Sequence, residues 1–332
     1  MLVLIDAFGG DNAPKAVLEG CILSKKENPG TDIALVGNIA RIRICAEENS
    51  LDISGLELFD AGDEISMEDD PTSIMKEKKN SSMAEGLRLC AAGKGDAFVT
   101  AGNSGALITG ATLLIKRIKG IKRPAFAPIM PTSKGPFMLI DGGANVEVRP
   151  EMLRQFGIMG SVYMENILGI ENPRVALANV GTEDHKGGPL QHEAFALLRE
   201  TELNFIGNVE ARDIPAGVAD VIVADGFTGN IIAKMYEGAA KELFGKIKGV
   251  FYKNMKTKLA ALILKKDLYQ LKQYFDYNRY GGAVVLGVKK PVVKTHGSAN
   301  AVAVAAAIRV ASDFASTGAI DKIENQIALI KE

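Results

Sequence analysis

The residues best suited to chemistry in this chain sit where short apolar runs end. FVTAGNSGALITGATLLIKRIKG (98–120) shows the pattern most fully. Ala97, Phe98 and Val99 predict a strand, Ala101 to Gly105 a turn, and the apolar run behind it a helix. That order aims the free N–H groups of the helix past the strand end, an arrangement that binds anions. Gly102 and Gly105 permit close backbone approach, and Asn103 or Ser104 caps the helix or touches a ligand. By itself the stretch reads as an ordinary strand-to-helix turn. It recurs, however, at VLIDAFGGDNAP (3–14), LIDGGANVEVRP (139–150), ALANVGTEDHKGG (176–188), FIGNVEARD (205–213) and VIVADGFTGN (221–230). Side by side in a parallel sheet, such strand ends line one crevice. Their Asp, Asn, Thr and N–H groups suit a reaction that binds or consumes phosphate.

Two further clusters stand out. Lys76, Lys78 and Lys79 run into Asn80, Ser81 and Ser82 before a helix, which reads either as an anion site or as a capped surface helix with solvated lysines. His296 precedes a Gly297-Ser298 helix start and faces the same crevice as the other turns. The segment IKGIKRPAFAPIMP (118–131), with three prolines, predicts an extended crossing.

The elements that must position these residues are short strands alternating with helices. Strands are expected at Leu2–Asp6, 32–36, 56–59, 138–140, 175–178, 205–207 and 221–224, giving a doubly wound, three-layer α/β/α sheet. The whole chain, 1–332, reads as one α/β unit of one or two lobes. The exception is 236–278, a proline-free helical hairpin whose tip, Lys258 to Lys265, is apolar on every face and flanked by lysines. Leu259, Leu262, Ile263 and Leu264 there are candidates for membrane contact. A dimer contact and an acidic protein partner are the alternatives.

Composition narrows the class. The 332 residues are 47% apolar and 24% charged, with a net charge of −1, which removes any general drive toward nucleic acid. Cys21, Cys45 and Cys90 are scattered, with no CxxC or His pairing, and predict reduced thiols in the cytoplasm and no covalent cysteine chemistry. Met1 to Ile5 lack a basic flank and read as a strand, not a signal peptide. No apolar run is long enough to span a bilayer. There is no G-x-G-x-x-G after a strand, no P-loop and no G-x-S-x-G elbow, and the few His and Cys support no metal site. With no built-in nucleophile, a substrate supplies it.

Ten motifs in series, DAFGGDNAP (6–14), KKNSSM (78–83), TAGNSGAL (100–107), RIKGIKRPA (117–125), DGGANVE (141–147), NVGTEDHKG (179–187), FIGNVEARD (205–213), ADGFTGN (224–230), YGGAVVLGV (280–288) and KTHGSANA (294–301), resemble the PlsX-type acyl-ACP:phosphate acyltransferases over essentially the whole chain. The chain departs from that pattern at Phe8, where the family usually has Met, and at Ala299, often Ser. The resemblance implies transfer of a long-chain acyl group from acyl carrier protein to inorganic phosphate, with acyl phosphate passed on to phospholipid synthesis. It implies no cofactor and no metal. It also implies a fold similar to isopropylmalate dehydrogenases and phosphate acetyltransferases, a homodimer, and peripheral association with the inner face of the cell membrane, where a membrane glycerol-3-phosphate acyltransferase consumes the product. A short-chain phosphate acetyltransferase, a dehydrogenase on the same fold and a non-catalytic membrane scaffold are the rival readings.

Under that reaction, phosphate attacks directly and the protein positions it and stabilises an oxyanion. Lys186 is expected as the cation, His296 as a proton donor to the leaving thiolate, and Asn103, Asn145 and Asn230 as neutral donors. Asp6, Asp141 and Asp225 are expected to orient amides and hydroxyls. The matching motifs bring Gly9, Gly10 and Asp11 to the phosphate site from the first strand end, and Lys79, Ser81 and Ser82 from the basic cluster. Gly102, Ser104 and Gly105 join them, as do Gly181, Thr182 and Glu183, then Asn208 and Glu210. Asp141, Asn145 and Asp225, then Gly226, Thr228 and Gly229, with Gly297 and Ser298, complete the expected set.

Overall fold

The computed structural model describes residues 1–274 and 280–330. The apolar runs become β1 (Leu2–Asp6), β2 (Asp32–Gly37), β3 (Glu57–Asp60) and β4 (Ala97–Thr100), separated by α1 (Lys15–Glu27), α2 (Ile39–Glu48) and α3 (Ser82–Ala91). After β4, α4 (Ser104–Gly110) continues through a π turn at Ala111–Ile115. β5 (Ala125–Thr132) and β6 (Gly135–Ile140) form a hairpin, followed by α5 (Pro150–Leu168), β7 (Val175–Asn179), α6 (Pro189–Arg199), β8 (Phe205–Glu210) and β9 (Val221–Val223). Then come α7 (Gly226–Phe251), α8 (Met255–Ile263), α9 (Lys265–Tyr274), β10 (Ala283–Leu286), β11 (Val292–Lys294), α10 (Ala301–Ser316) and α11 (Ala319–Ala328).

Among the described residues one sheet of eleven strands forms, in the order β3-β2-β1-β4-β11-β10-β5-β6-β9-β7-β8. It is mixed, which corrects the expectation of a parallel crevice. β3, β2, β1, β4 and β11 run parallel, as do β6, β9, β7 and β8. β10 is antiparallel to both neighbours and β5 is antiparallel to β6. The two parallel blocks therefore run in opposite directions, and their carboxyl ends approach each other over the middle of β5. There Pro128 lies opposite Ala283, which lies opposite Lys294, while Gly142, just past β6, donates its N–H to the Phe126 carbonyl at 2.8 Å.

The proline-rich segment read as a crossing is thus a central strand. β5 pairs with β10 through residues 125–128 and with β6 through residues 129–132. Each half is laddered on one side, so the N–H groups missing at Pro128 and Pro131 are tolerated.

The core divides by sheet face. On one face Val3, Ile5, Ala127, Ile140, Val284 and Val293 pack beneath α1, α10, α5, α6 and α11. On the other, Leu4, Phe98, Phe126, Val285 and Val292 pack under α3 and α4, and Met130, Phe137 and Leu139 under the start of α7. Between α4 and α7, among the described residues, no helix packs directly on the β10–β5 strip of that second face, and the site lies there.

The expected hairpin is an arm of three helices. α7 has 26 residues, about 39 Å at 1.5 Å per residue. Its buried residues, Gly226, Gly229 and Ala233, all lie in its first turns, and α8 buries none. Leu259, Leu262 and Ile263 are 62%, 66% and 76% exposed, and Leu264 is exposed beside them. The last part of the expected hairpin, 275–279, lies outside the described residues.

Candidate active site

Two buried carboxylates hold the strand ends that frame the site. At the end of β1, Asp6 accepts hydrogen bonds from Phe8 N, Ser82 Oγ and Thr100 Oγ1. Thr100 Oγ1 in turn accepts Gly102 N at 2.9 Å, so one carboxylate ties β1, α3 and β4 together. A Cβ on Gly9 would stand 2.6 Å from Thr100 Oγ1 and 2.7 Å from the Asp6 carboxylate, which leaves no room for a side chain. Past β6, Asp141 accepts the N–H groups of Phe126, Gly143, Ala144 and Asn145 and the Asn145 amide. Burial pushes both carboxyls up from the ordinary range. Around Asp141 every partner is an N–H donor, however, a constellation that only the ionised form satisfies. The expected orienting role of these aspartates matches this geometry.

α7 is seated on that turn. Asp225 caps it through Thr228 N and Thr228 Oγ1, and Gly226 N donates to Asn145 O at 2.7 Å. A Cβ on Gly229 would lie 1.9 Å from Asp141 O, so only glycine allows the helix this close. Asn230, Ala233, Lys234 and Glu237, spaced i, i+3, i+4, i+7, then form one stripe of α7 above the uncovered strip.

The space beneath that stripe is a cavity of about 450 Å³, within the range of small-molecule sites. Its polar end is made by Asp11, Ser104, Lys294, His296 and Gly297, with Met67 beside Gly297, and its apolar part by Phe126, Pro128, Met130, Ala233 and Ala283. The first β–α loop is bound to the last, with Asp11 N donating to Gly297 O and Asn12 Nδ2 to the carbonyls of Ser298 and Ala299. Gly10 makes this contact at φ +94°. The N–H groups of Ser104 and Gly105, in the first turn of α4, find no acceptor among the described residues. They are the open donors that the glycine-turn pattern predicted.

Lys294 is the residue that the sequence reading passed over. At the end of β11, its Nζ donates to Thr295 O at 2.7 Å and to Ala101 O at 3.3 Å. Burial, with Lys234 nearby, takes its pKa down to about 8. It lies two residues before His296, in a motif from which His296, Gly297 and Ser298 are expected at the site. A lysine closing a strand that leads into a Gly-Ser turn was the available signal. His296 accepts Ser298 N at Nδ1, so the neutral ring carries its proton on Nε2. Burial holds its pKa below the usual value.

Several expected ligand contacts are corrected. Asn103, 7% exposed, caps α4 through Ala106 N and donates to the carbonyls of Ser66, Met67 and Asp69. It fixes the acidic loop and has no hydrogen-bonding group left for catalysis. Asn145 is spent on Pro124 O and Asp141. Ser81 caps α3 and Ser82 is held by Asp6, both buried, while Lys79 is exposed on the surface beside them. Gly102 and Gly105 face Met83 and Pro71 rather than open space. At the start of α7 the N–H groups of Gly226, Thr228 and Gly229 are already taken by Asn145 O and Asp225.

Lys186 is not in the cavity lining. It sits in the turn after β7, its Nζ 3.8 Å from Glu183 and its stem against Gly181. Thr182 is exposed in that turn, Asn208 donates to Glu183 O, and Glu210 pairs with Arg212. This group forms a separate cluster at the β7 and β8 ends. Asn230, His296 and Gly297 do reach the cavity, and Ser298 flanks it through His296. Among the described residues no cluster of His, Cys, Asp and Glu fits a metal ion.

The family model described as "Fatty acid synthesis protein" matches residues 1–322. The chain belongs to that family. A phosphate acyltransferase of Acetivibrio thermocellus is 48% identical over 326 residues, covering 98% of this chain and 96% of that one. Another, from Bacillus licheniformis, is 46% identical and covers 98% of each. Among solved structures, a phosphotransacetylase from Streptococcus pyogenes aligns with a TM-score of 0.63 at 16% identity, covering 95% of this chain and 94% of its own. At that identity the likeness is one of fold. The expected α/β/α fold resembling phosphate acetyltransferases is observed. No single described helix is long and apolar enough to cross a membrane. The bent pair α10–α11 passes by length and composition alone, and its Ala303, Val304, Ile308 and Ile323 are core residues.

Proposed function

We propose that this protein is a phosphate acyltransferase that moves a long-chain acyl group from acyl carrier protein to inorganic phosphate. The observation that carries this is the match of essentially the full chain to relatives bearing that activity in their names, in a family of fatty acid synthesis proteins. The cavity supports it, since a cation and open N–H groups at one end adjoin an apolar surface at the other. A phosphate oxygen attacks the thioester carbonyl carbon, the carbon–sulfur bond breaks, and the electron pair leaves on the carrier thiolate, which takes a proton from solvent or from His296. Lys294 and the Ser104 and Gly105 N–H groups hold phosphate and the developing oxyanion. No protein nucleophile takes part. Burial pushes the Cys90 thiol up to about 12 and the Cys21 thiol higher still, so neither forms a thiolate near neutrality.

The partners of this reading are acyl carrier protein, a second copy of the chain, and a membrane surface near the acyltransferase that consumes acyl phosphate. The exposed apolar tip of α8, with Lys253, Lys256, Lys258, Lys265 and Lys266 around it, supports peripheral binding to anionic lipid. The decisive assay incubates purified protein with palmitoyl-acyl carrier protein and phosphate and traps acyl phosphate with hydroxylamine. Phosphate-dependent hydroxamate is expected. Thioester that stays intact, or is simply hydrolysed, refutes the proposal.

A further inference from the structure

The acyl group needs a path, and the sheet register supplies one. Directly opposed residues in antiparallel strands project to the same face. Lys294, Ala283 and Pro128 are opposed in succession across β11, β10 and β5, so they form a row on one face, charge at one end and apolar at the other. Phe126, Pro128 and Met130 alternate along β5 onto that same face, and all of them line the cavity. Ala233 on α7 lies above. Just beyond, Tyr236 Oη donates to Pro131 O at 2.6 Å and its ring meets Phe137 edge-on with centroids 6.4 Å apart. The strip is therefore closed where α7 clamps the β5–β6 hairpin.

Resting on the function proposed above, we infer that the acyl chain runs from its carbonyl at Lys294 across Ala283 and Pro128 and ends at Met130 beneath Ala233, making Ala233 and Met130 the residues that set chain length and Ala283 the one that admits any chain. Two strand spacings plus two residues along β5 give a path of about 16 Å. The two alanines are what keep it open. A larger residue at Ala283, one strand spacing from Lys294, obstructs every chain, and one at Ala233 fills the space that the far methylenes occupy. Truncating Met130 at the closed end lengthens the path.

The test measures kcat/KM with octanoyl- and palmitoyl-acyl carrier protein for the wild type, Ala283→Leu, Ala233→Leu and Met130→Ala. Circular dichroism and thermal melting verify folding. Ala283 is only partly buried, so its variant is the one expected to keep the fold if Ala233→Leu does not. kcat/KM is expected to fall roughly tenfold or more for both chains in Ala283→Leu, which stands beside Lys294; the palmitoyl-to-octanoyl ratio is expected to fall by a similar factor in Ala233→Leu, because several methylenes lose their burial, and to rise in Met130→Ala. A folded Ala283→Leu protein with wild-type kcat/KM for both chains overturns the inference, as does a folded Met130→Ala protein whose ratio matches wild type. Absence of acyl phosphate from the wild type with either thioester would instead refute the function on which the inference rests.

Discussion

Replacing Lys294 with Met should move activity and stability in opposite directions. Burial lowers the ammonium pKa from 10.5 to about 8. At roughly 1.4 kcal/mol per pH unit, keeping it charged in the folded protein at pH 7 costs at most about 3–4 kcal/mol. The variant removes that cost but leaves two carbonyl acceptors, Ala101 O and Thr295 O, without their donor, a loss of about 0.5–1.5 kcal/mol each. The net expectation is a folded state more stable by about 1 kcal/mol at pH 7. The sign with pH follows from linkage. The folded pKa lies below the unfolded one, so the penalty is fully present below pH 8 and is gone above pH 10.5, and the variant's advantage should vanish and reverse between them as only the lost donor remains. Turnover should drop by about 10²–10³, the scale of one lost oxyanion contact. Urea unfolding at pH 7 and pH 10 reads the first effect and steady-state kinetics at saturating phosphate the second. A Lys294→Met protein that keeps wild-type turnover refutes the assignment. One that loses both stability and activity reduces Lys294 to a structural residue.

Four further outcomes are expected. Lys186→Met should retain more than about a tenth of wild-type kcat/KM, well short of the loss from removing a transition-state contact; a hundredfold loss would return the cation role to Lys186. Asp141→Asn should cost roughly 2–4 kcal/mol in urea unfolding, because an amide N–H₂ would face the Asn145 donors that now bond Oδ2; unchanged stability would mean that the turn is not held by this carboxylate. Leu262→Glu with Ile263→Glu should abolish sedimentation with anionic liposomes while sparing turnover on soluble thioester, since each buried side chain contributes about 1.5–3 kcal/mol; undiminished sedimentation would place the tip in another contact. A protein with Cys21, Cys45 and Cys90 all replaced by Ala should still form acyl phosphate, and mass spectrometry that traps an acyl-cysteine would overturn direct attack.

The strand-to-helix grammar was legible because short apolar runs ending in Gly, Asn and Asp have few other readings, and eight strands fell close to where they were expected. The central strand β5 was not legible, although a glycine-led strand pair at 281–289 was expected where its partner β10 lies. Prolines 128 and 131 argue against a strand unless each half is paired on one side, which only the assembled sheet reveals. Strand direction was hidden for the same reason, since a β5 shared by two opposed blocks depends on long-range pairing. In the site, residue type was a better guide than position. Asp6, Asp141 and Asp225 are anchored as their chemistry suggested. The asparagines misled, because a cap such as Asn103 and a free donor such as Asn230 look alike in sequence. Lys294 was missed because burial, which makes it unusual, is absent from a one-dimensional reading. Lys186, in a glycine-flanked loop, drew attention for its neighbours.

The most direct test uses phosphate labelled at every oxygen with the heavy isotope, together with palmitoyl-acyl carrier protein and stoichiometric enzyme. If phosphate attacks the thioester in the cavity at Lys294, the acyl phosphate formed carries every label, appears in step with free carrier thiol, and no acyl group is found on the protein. Fatty acid released at the same rate without phosphate, or an acyl-enzyme that precedes the product, would contradict the account.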